Sequence, residues 1–181
     1  MTLELHPDLP MAVLLENYPG ARRALFASFH IGGCQSCAYK DDETLAQVCQ
    51  RNEISLEEAL TCLKESHQHD QTMLISPSQL KEMMESDTPP LLLDIRTREE
   101  HEAIQIPGSE FMTQERQTEL FSKAAENPLI VLIDHLGRSV LDQCAWFRGH
   151  EMKETYGLDG GIDRYAKEAD TSIRRYRLEM D

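Results

Sequence analysis

The run LIVLI at residues 129–133 constrains the fold more than any other stretch of the chain. An unbroken apolar run of that length, closed by a glycine turn, reads as a strand buried on both faces, and such strands sit in parallel sheets covered by helices. The sequence around it keeps the same rhythm, short apolar runs alternating with helical segments. Strands are expected at 73–75, 91–95, 109–112, 129–133 and 153–156. Helices are expected after Ser76-Pro77, where serine caps and proline takes the first helical position, and over 98–103, 114–125, from Gly137 to about Gly149, and over 161–167. The fold class is α/β, a parallel sheet flanked by helices, preceded by a small all-α region.

The central strand runs directly into DHLGRS, Asp134 to Ser139. A strand that ends in a glycine loop and then opens a helix turns backbone N–H groups inward, and with an arginine beside it the loop is a cradle for an anion. Asp134, itself an anion, stands at its centre. The expected arrangement is an ionised Asp134 held by the loop amides and Arg138, so that the cradle is filled from within. His135 fits a general base or ligand on its chemistry, but a lone loop histidine is more often solvated. Cys144 falls with Val140 and Phe147 on one apolar helical stripe and reads as a small buried hydrophobe. Asp134 as a phosphoryl-accepting nucleophile finds no accompanying magnesium site.

The first third of the chain reads as helix throughout. One helix begins at 11–15, and Ala21, Leu25 and Phe29 recur at helical spacing in a second that Gly32-Gly33 ends. A third runs from about Asp42 with Leu45, Val48 and Cys49 on one face. The fourth starts at Ser55, whose hydroxyl caps the backbone while Glu58 reaches back, and Leu56, Ala59, Leu60 and Leu63 form its stripe. The polar stretch ESHQHDQT, 65–72, separates the two patterns. The expected domains are a helical CxxC domain at 1–66, a sheet domain at 72–170 and a basic tail at 171–181, in which RRYR on an acidic protein is placed to fold back.

Charge narrows the partners. The 181 residues carry a formal −14, with 32 Asp and Glu against 18 Lys and Arg, so neither a nucleic acid nor an anionic membrane is an expected partner. MTLELHPDLP has no basic n-region or apolar h-region, and no run is apolar enough to span a bilayer, which makes the cytoplasm the default compartment. Five cysteines, an odd number, do not make the framework of a secreted domain.

Three ordered segments, LLLDIRTREEHEAIQIPGS, IVLIDHLGRS and YGLDGGIDRYA, resemble the rhodanese homology domain over roughly 72–169. Members of that family that are sulfurtransferases carry a cysteine at the end of the central strand and shuttle sulfane sulfur on it as a persulfide. The resemblance places Asp134 at that position, in a loop one residue shorter than usual, and a carboxylate cannot carry sulfane sulfur. It implies a degenerate active loop of Asp134, His135, Gly137, Arg138 and Ser139, with Asp94 and Arg96 as the strand-end pair that braces the pocket. Gly160-Gly161 matches the turn into the last helix, while Ile104-Gln105 departs from the Gly-His that often precedes Ile-Pro-Gly.

HIGGCQSCAYKDDETLAQVC sets Cys34 and Cys37 in a turn after a glycine pair, where two sulfurs can meet with little backbone movement. With YPGARRALFASF before it and ETLAQVCQRNEISLEEALTCL after it, the stretch resembles the hybrid-cluster-protein-associated redox disulfide domain over roughly 9–63. That resemblance implies a dithiol/disulfide pair at Cys34 and Cys37. Inert turn cysteines are the alternative. Zinc or an iron–sulfur cluster on Cys34, Cys37, Cys49 and Cys62 is disfavoured, because the second pair is widely spaced and sits on apolar helix stripes; no cofactor is expected, and His67 and His69 read as solvent-facing. The function expected is a sulfur- or redox-trafficking protein with a redox-capable Cys34/Cys37 pair and a rhodanese-like domain that docks rather than catalyses. A non-enzymatic interaction or sensory module, and a sulfurtransferase using Cys34 or Cys37, remain open beside it. The partner and the sulfur or redox donor are not legible.

Overall fold

A computed structural model describes residues 3–33 and 38–176, which fall into two compact units, Met1–Thr72 and Met73–Asp181. Cys34 and Cys37 lie outside the described residues.

The first unit is helical: α1 (Met11–Asn17), α2 (Ala21–Phe29), α3 (Leu45–Arg51) and α4 (Leu56–Gln71). Its core joins Met11, Leu14, Leu25, Leu45, Val48 and Leu63 with the buried Cys49. Two boundaries differ from the sequence reading. α3 starts at Leu45, because Thr44 and Gln47 form a reciprocal capping box that fixes the first turn later than Asp42. The polar 65–72 stretch is the last two turns of α4 rather than a linker: Asp70, almost fully buried, pairs with Arg23, and His67 stands edge-on to Tyr18. Polarity there reflects one side-chain network inside the unit.

The second unit is a five-stranded sheet in the order β1-β5-β4-β2-β3, all pairs parallel. Its strands are β1 (Leu74–Ile75), β2 (Leu91–Asp94), β3 (Glu110–Phe111), β4 (Ile130–Ile133) and β5 (Thr155–Leu158). The intervening helices are α5 (Pro77–Met84), α6 (Arg98–Ala103), α7 (Gln114–Ser122), α8 (Val140–Gly149) and α9 (Gly161–Glu168), with a short 3-10 turn at Ala124–Glu126. β4 is central and buried along its whole length. Its side chains alternate: Val131 and Ile133 join Leu80, Ile162 and Tyr165 on one face, while Ile130 and Leu132 join Leu120, Cys144 and Phe147 on the other. Helices on both faces therefore explain the unbroken apolar run.

The last strand lies at Thr155–Leu158, later than the expected 153–156, because residues 150–152 first close the end of α8, with Met152 buried in the core. The helix expected over 114–125 breaks at Lys123 into its 3-10 turn. α8 opens at Val140 rather than Gly137, which leaves Gly137 to Ser139 as loop. That difference decides the geometry of the site. No helix among the described residues is long and apolar enough to cross a membrane.

Candidate functional site

The loop between β4 and α8 carries Asp134, 6% exposed, at the end of the central strand. Gly137 turns the chain at φ +77°, and a Cβ there would lie 2.4 Å from the Gly160 nitrogen, so only glycine fits the approach of the two loops. The turn points the Gly137 N–H at Asp134 Oδ1, and the Ser139 N–H donates to Oδ2 at 2.6 Å. Burial raises the Asp134 carboxyl above its ordinary value; the amides of Gly137, Ser139, Val140 and Arg138 pull it back without cancelling the rise. Arg138 takes part at least through its backbone N–H, one of the amides that pull the carboxyl back. Asp134 acts as the acceptor for the loop that leads into α8, a helix whose own N-cap, Ser139, makes no side-chain cap. The loop amides of Gly137 and Ser139 thus close on the Asp134 carboxyl.

The opposite wall of the loop is fixed by α9. Ile162 N–H donates to the Asp134 carbonyl at 2.9 Å and Asp163 N–H to the His135 carbonyl at 3.1 Å. Gly161, at φ +60°, has no room for a Cβ, which would fall 2.5 Å from the His135 carbonyl carbon and oxygen.

At the end of β2, Asp94 and Arg96 form a buried pair. Arg96 donates from its backbone N–H and Nε to Asp94 Oδ1 at 3.1 and 2.9 Å, and from Nη2 to Oδ2 at 2.5 Å. Nη2 also reaches the Ile104 carbonyl at 2.6 Å, and His101 Nδ1 lies 2.9 Å from Asp94 Oδ2. A charged pair with every lobe of the guanidinium engaged locks the start of α6, whose cap is a Thr97–Glu100 capping box. Between this wall and the β4–α8 loop opens a cavity of about 370 Å³, lined among others by Ile95, Arg96, Glu100, Asp134, His135 and Arg138.

The rhodanese-like domain family model matches residues 76–168, just over half of the 181. The chain belongs to the rhodanese-like domain family. The match spans the β4–α8 loop and ends where α9 does. Among solved structures, a protein of Staphylococcus saprophyticus subsp. saprophyticus is 20% identical, with 56% of this chain and 97% of that chain covered and a TM-score of 0.45. A rhodanese-like domain protein from Staphylococcus aureus is 15% identical, covering 57% and 98% with a TM-score of 0.46. The rhodanese-like domain of an Anabaena protein is 17% identical, covering 60% and 92% with a TM-score of 0.47. No curated protein matches the chain.

The pocket brings together Asp134, His135, Arg138, Ser139 and Arg96; Gly137 shapes the loop without lining the pocket, and Asp94 holds Arg96 from behind. The pocket does not include Cys144, which is fully buried on α8. Cys49 is buried in the helical unit, where desolvation pushes its thiol up, and Cys62 Sγ lies 3.2 Å from Ser28 Oγ. Among the described residues no three His, Cys, Asp or Glu side chains are grouped to hold a metal ion.

Glu100, which lines the pocket, and Tyr176, which stands beside it, escaped the sequence reading. Glu100 was visible only as the third residue of a helix cap. Tyr176 lay in the stretch read as a basic tail. Its phenol accepts from Arg96 Nη1 and donates to Glu100 Oε1, both at 2.7 Å, while its ring stacks on His135 at 4.3 Å. Burial, then the Glu100 hydrogen bond, pushes the Tyr176 hydroxyl up to about 12 against the opposing pull of Arg96. It therefore keeps its proton and remains a donor.

Proposed function

We propose that this is a two-module sulfur- or redox-trafficking protein in which the Cys34/Cys37 pair does the thiol chemistry and the rhodanese-like domain docks without catalysing. The observation that carries this reading is Asp134. A rhodanese-like domain suggests sulfur transfer or redox chemistry, yet the strand-end position that would bear the sulfur holds a carboxylate whose oxygens are engaged by Gly137 and Ser139. A loop whose amides already hold a fixed anion has little left to offer an incoming thiolate or persulfide. Cys144 is sealed in the core and cannot replace it. The thiols of the redox-disulfide-like motif, which lie outside the described residues, are then the candidates for sulfur.

In this reading a thiolate of the Cys34/Cys37 pair attacks the outer sulfur of a donor persulfide. The S–S bond of the donor breaks, the donor leaves as its thiolate, and the outer sulfur stays on the protein as a new persulfide. No net oxidant is needed. The test is peptide mass spectrometry of the full chain before and after incubation with a low-molecular-weight persulfide. The expected result is 32 Da added to the peptide containing Cys34 and Cys37, by the mass of one sulfur atom, and lost in Cys34→Ser, Cys37→Ser. Addition at Cys62 instead, or none, would overturn the assignment.

A further inference from the structure

The segment after α9 makes more specific contacts than a tail needs. Ile173 is buried in the sheet core, and Asp170 turns the chain by accepting from the Ser172 N–H and hydroxyl at 3.0 and 2.6 Å. Arg175 pairs with Asp163 through two bonds, 2.8 and 2.9 Å. Tyr176 then reaches both walls of the Asp134 cavity. Its hydroxyl bridges Arg96 and Glu100 on the β2–α6 side, and its ring and carbonyl meet His135 on the loop side, the carbonyl 3.1 Å from Nε2. Nε2 must carry the proton to make that bond. Nδ1 is then a bare acceptor, and it is buried with no partner. Nothing else among the described residues ties His135's ring to the rest of the domain by a hydrogen bond, so the placement of the ring, though not of the loop backbone that α9 holds, depends on Tyr176.

The recognition set is chemically specific. A carboxylate (Asp163) takes a guanidinium, a donor and an acceptor (Arg96 and Glu100) take a phenol, and an imidazole face takes its ring. Together they read an arginine followed by a tyrosine. We propose that residues 170–176 form a releasable clasp that fills this Arg-Tyr slot in cis at the rim of the Asp134 pocket and pins the His135 ring, and that a basic peptide bearing the same Arg-Tyr pair takes the slot in trans once the clasp is withdrawn. The excess negative charge of the chain favours such a basic partner. The inference stands whether or not Cys34 and Cys37 carry sulfur, and its test leaves those thiols aside.

Hydrogen exchange of the full chain reads the clasp directly. In Tyr176→Ala, peptides covering 134–139 and 96–104 exchange faster by about tenfold, as loss of a charge-assisted hydrogen bond implies, while those covering 130–133 and 155–158 do not change. Tyr176→Phe keeps the ring on His135 and accelerates 96–104 more than 134–139. A synthetic peptide DTSIRRY, the sequence of residues 170–176, restores slow exchange to the double variant Arg175→Ala, Tyr176→Ala, whose slot is vacated at both positions, and the same peptide ending in alanine does not. Unchanged exchange at 134–139 would overturn the clasp. Faster exchange spread over all five strands would do the same, by making Tyr176 a general stabiliser. Loop opening that saturating DTSIRRY leaves in place would overturn the slot's recognition of the Arg-Tyr pair.

Discussion

Replacing Asp134 with alanine tests whether the cradle is held by its internal anion. The substitution removes the acceptor from the Gly137 and Ser139 N–H groups. Each stranded buried donor costs about 1–3 kcal/mol. Two terms oppose that loss. The buried carboxylate, whose desolvation raises its pKa, is no longer there, and the adjoining cavity of about 370 Å³ lets water reach the bared amides. The net expectation is a loss of about 2 kcal/mol near neutral pH, toward the low end for a pair of stranded donors.

The pH dependence of that loss separates burial from hydrogen bonding. Since the folded carboxyl sits above its unfolded value of about 3.9, the native state holds the proton more tightly than the unfolded chain. The stability this proton gives is complete below the unfolded value and disappears as pH rises through the folded one. The gap between wild type and Asp134→Ala is therefore wider near pH ~4 than near pH ~7.5. Urea unfolding of both proteins across that range measures it. A gap that widens toward neutral pH would refute the reasoning, because it would mean that the amides outweigh burial and depress the pKa. A gap below about 0.5 kcal/mol throughout, the range of ordinary surface changes, would mean that the cradle is not holding the carboxylate at all.

Three further perturbations probe the same geometry. Gly161→Ala places a Cβ 2.5 Å from the His135 carbonyl at a positive φ, and should cost about 1–3 kcal/mol or more, read as a lower thermal midpoint by circular dichroism; an unchanged midpoint would show that the α9 turn yields easily. Arg96→Lys keeps the charge but loses the fork that engages Asp94, Ile104 and Tyr176 together, for an expected loss of about 1.5–3 kcal/mol in urea unfolding; stability equal to wild type would mean the ammonium replaces those bonds. Native-state alkylation followed by peptide mapping should leave Cys49 and Cys144 unmodified, since both are buried, and label Cys62; early labelling of Cys144 would show α8 opening away from the sheet.

The sheet was legible because burial on two faces leaves a direct mark. An apolar run such as 129–133 has one economical explanation, and the glycines at 137, 160 and 161 announce where backbones approach closely. Boundaries were less legible wherever caps decide them. Thr44 moves α3 to Leu45 through hydrogen bonds with Gln47, and Asp134, three residues before Gly137, takes the amides that would otherwise extend α8. Polarity misled once. ESHQHDQT looked like a linker, but a buried Asp70 paired with Arg23 is as much a packing residue as a leucine.

Tyr176 shows why the site itself was only half legible. Its partners lie 80 and 76 residues away in sequence, on α6 and the residues before it, and no local period or spacing encodes such a meeting. Charge pointed only to a basic tail that folds back onto an acidic protein, without saying which groups of RRYR would meet which partners. The deciding facts are three-dimensional: Asp163 stands where Arg175 arrives, and Arg96, already committed to Asp94, keeps one nitrogen for the phenol. The consequence bears on function. In the proposed reading an anion cradle filled by Asp134 leaves the pocket little capacity to bind a sulfur anion, and a rim fastened by Tyr176 ties its access to the position of residues 170–176. In that reading a docking partner meets a surface set by the chain's own aspartate and tyrosine, so exchange at 134–139 would report its binding more directly than a sulfurtransferase assay.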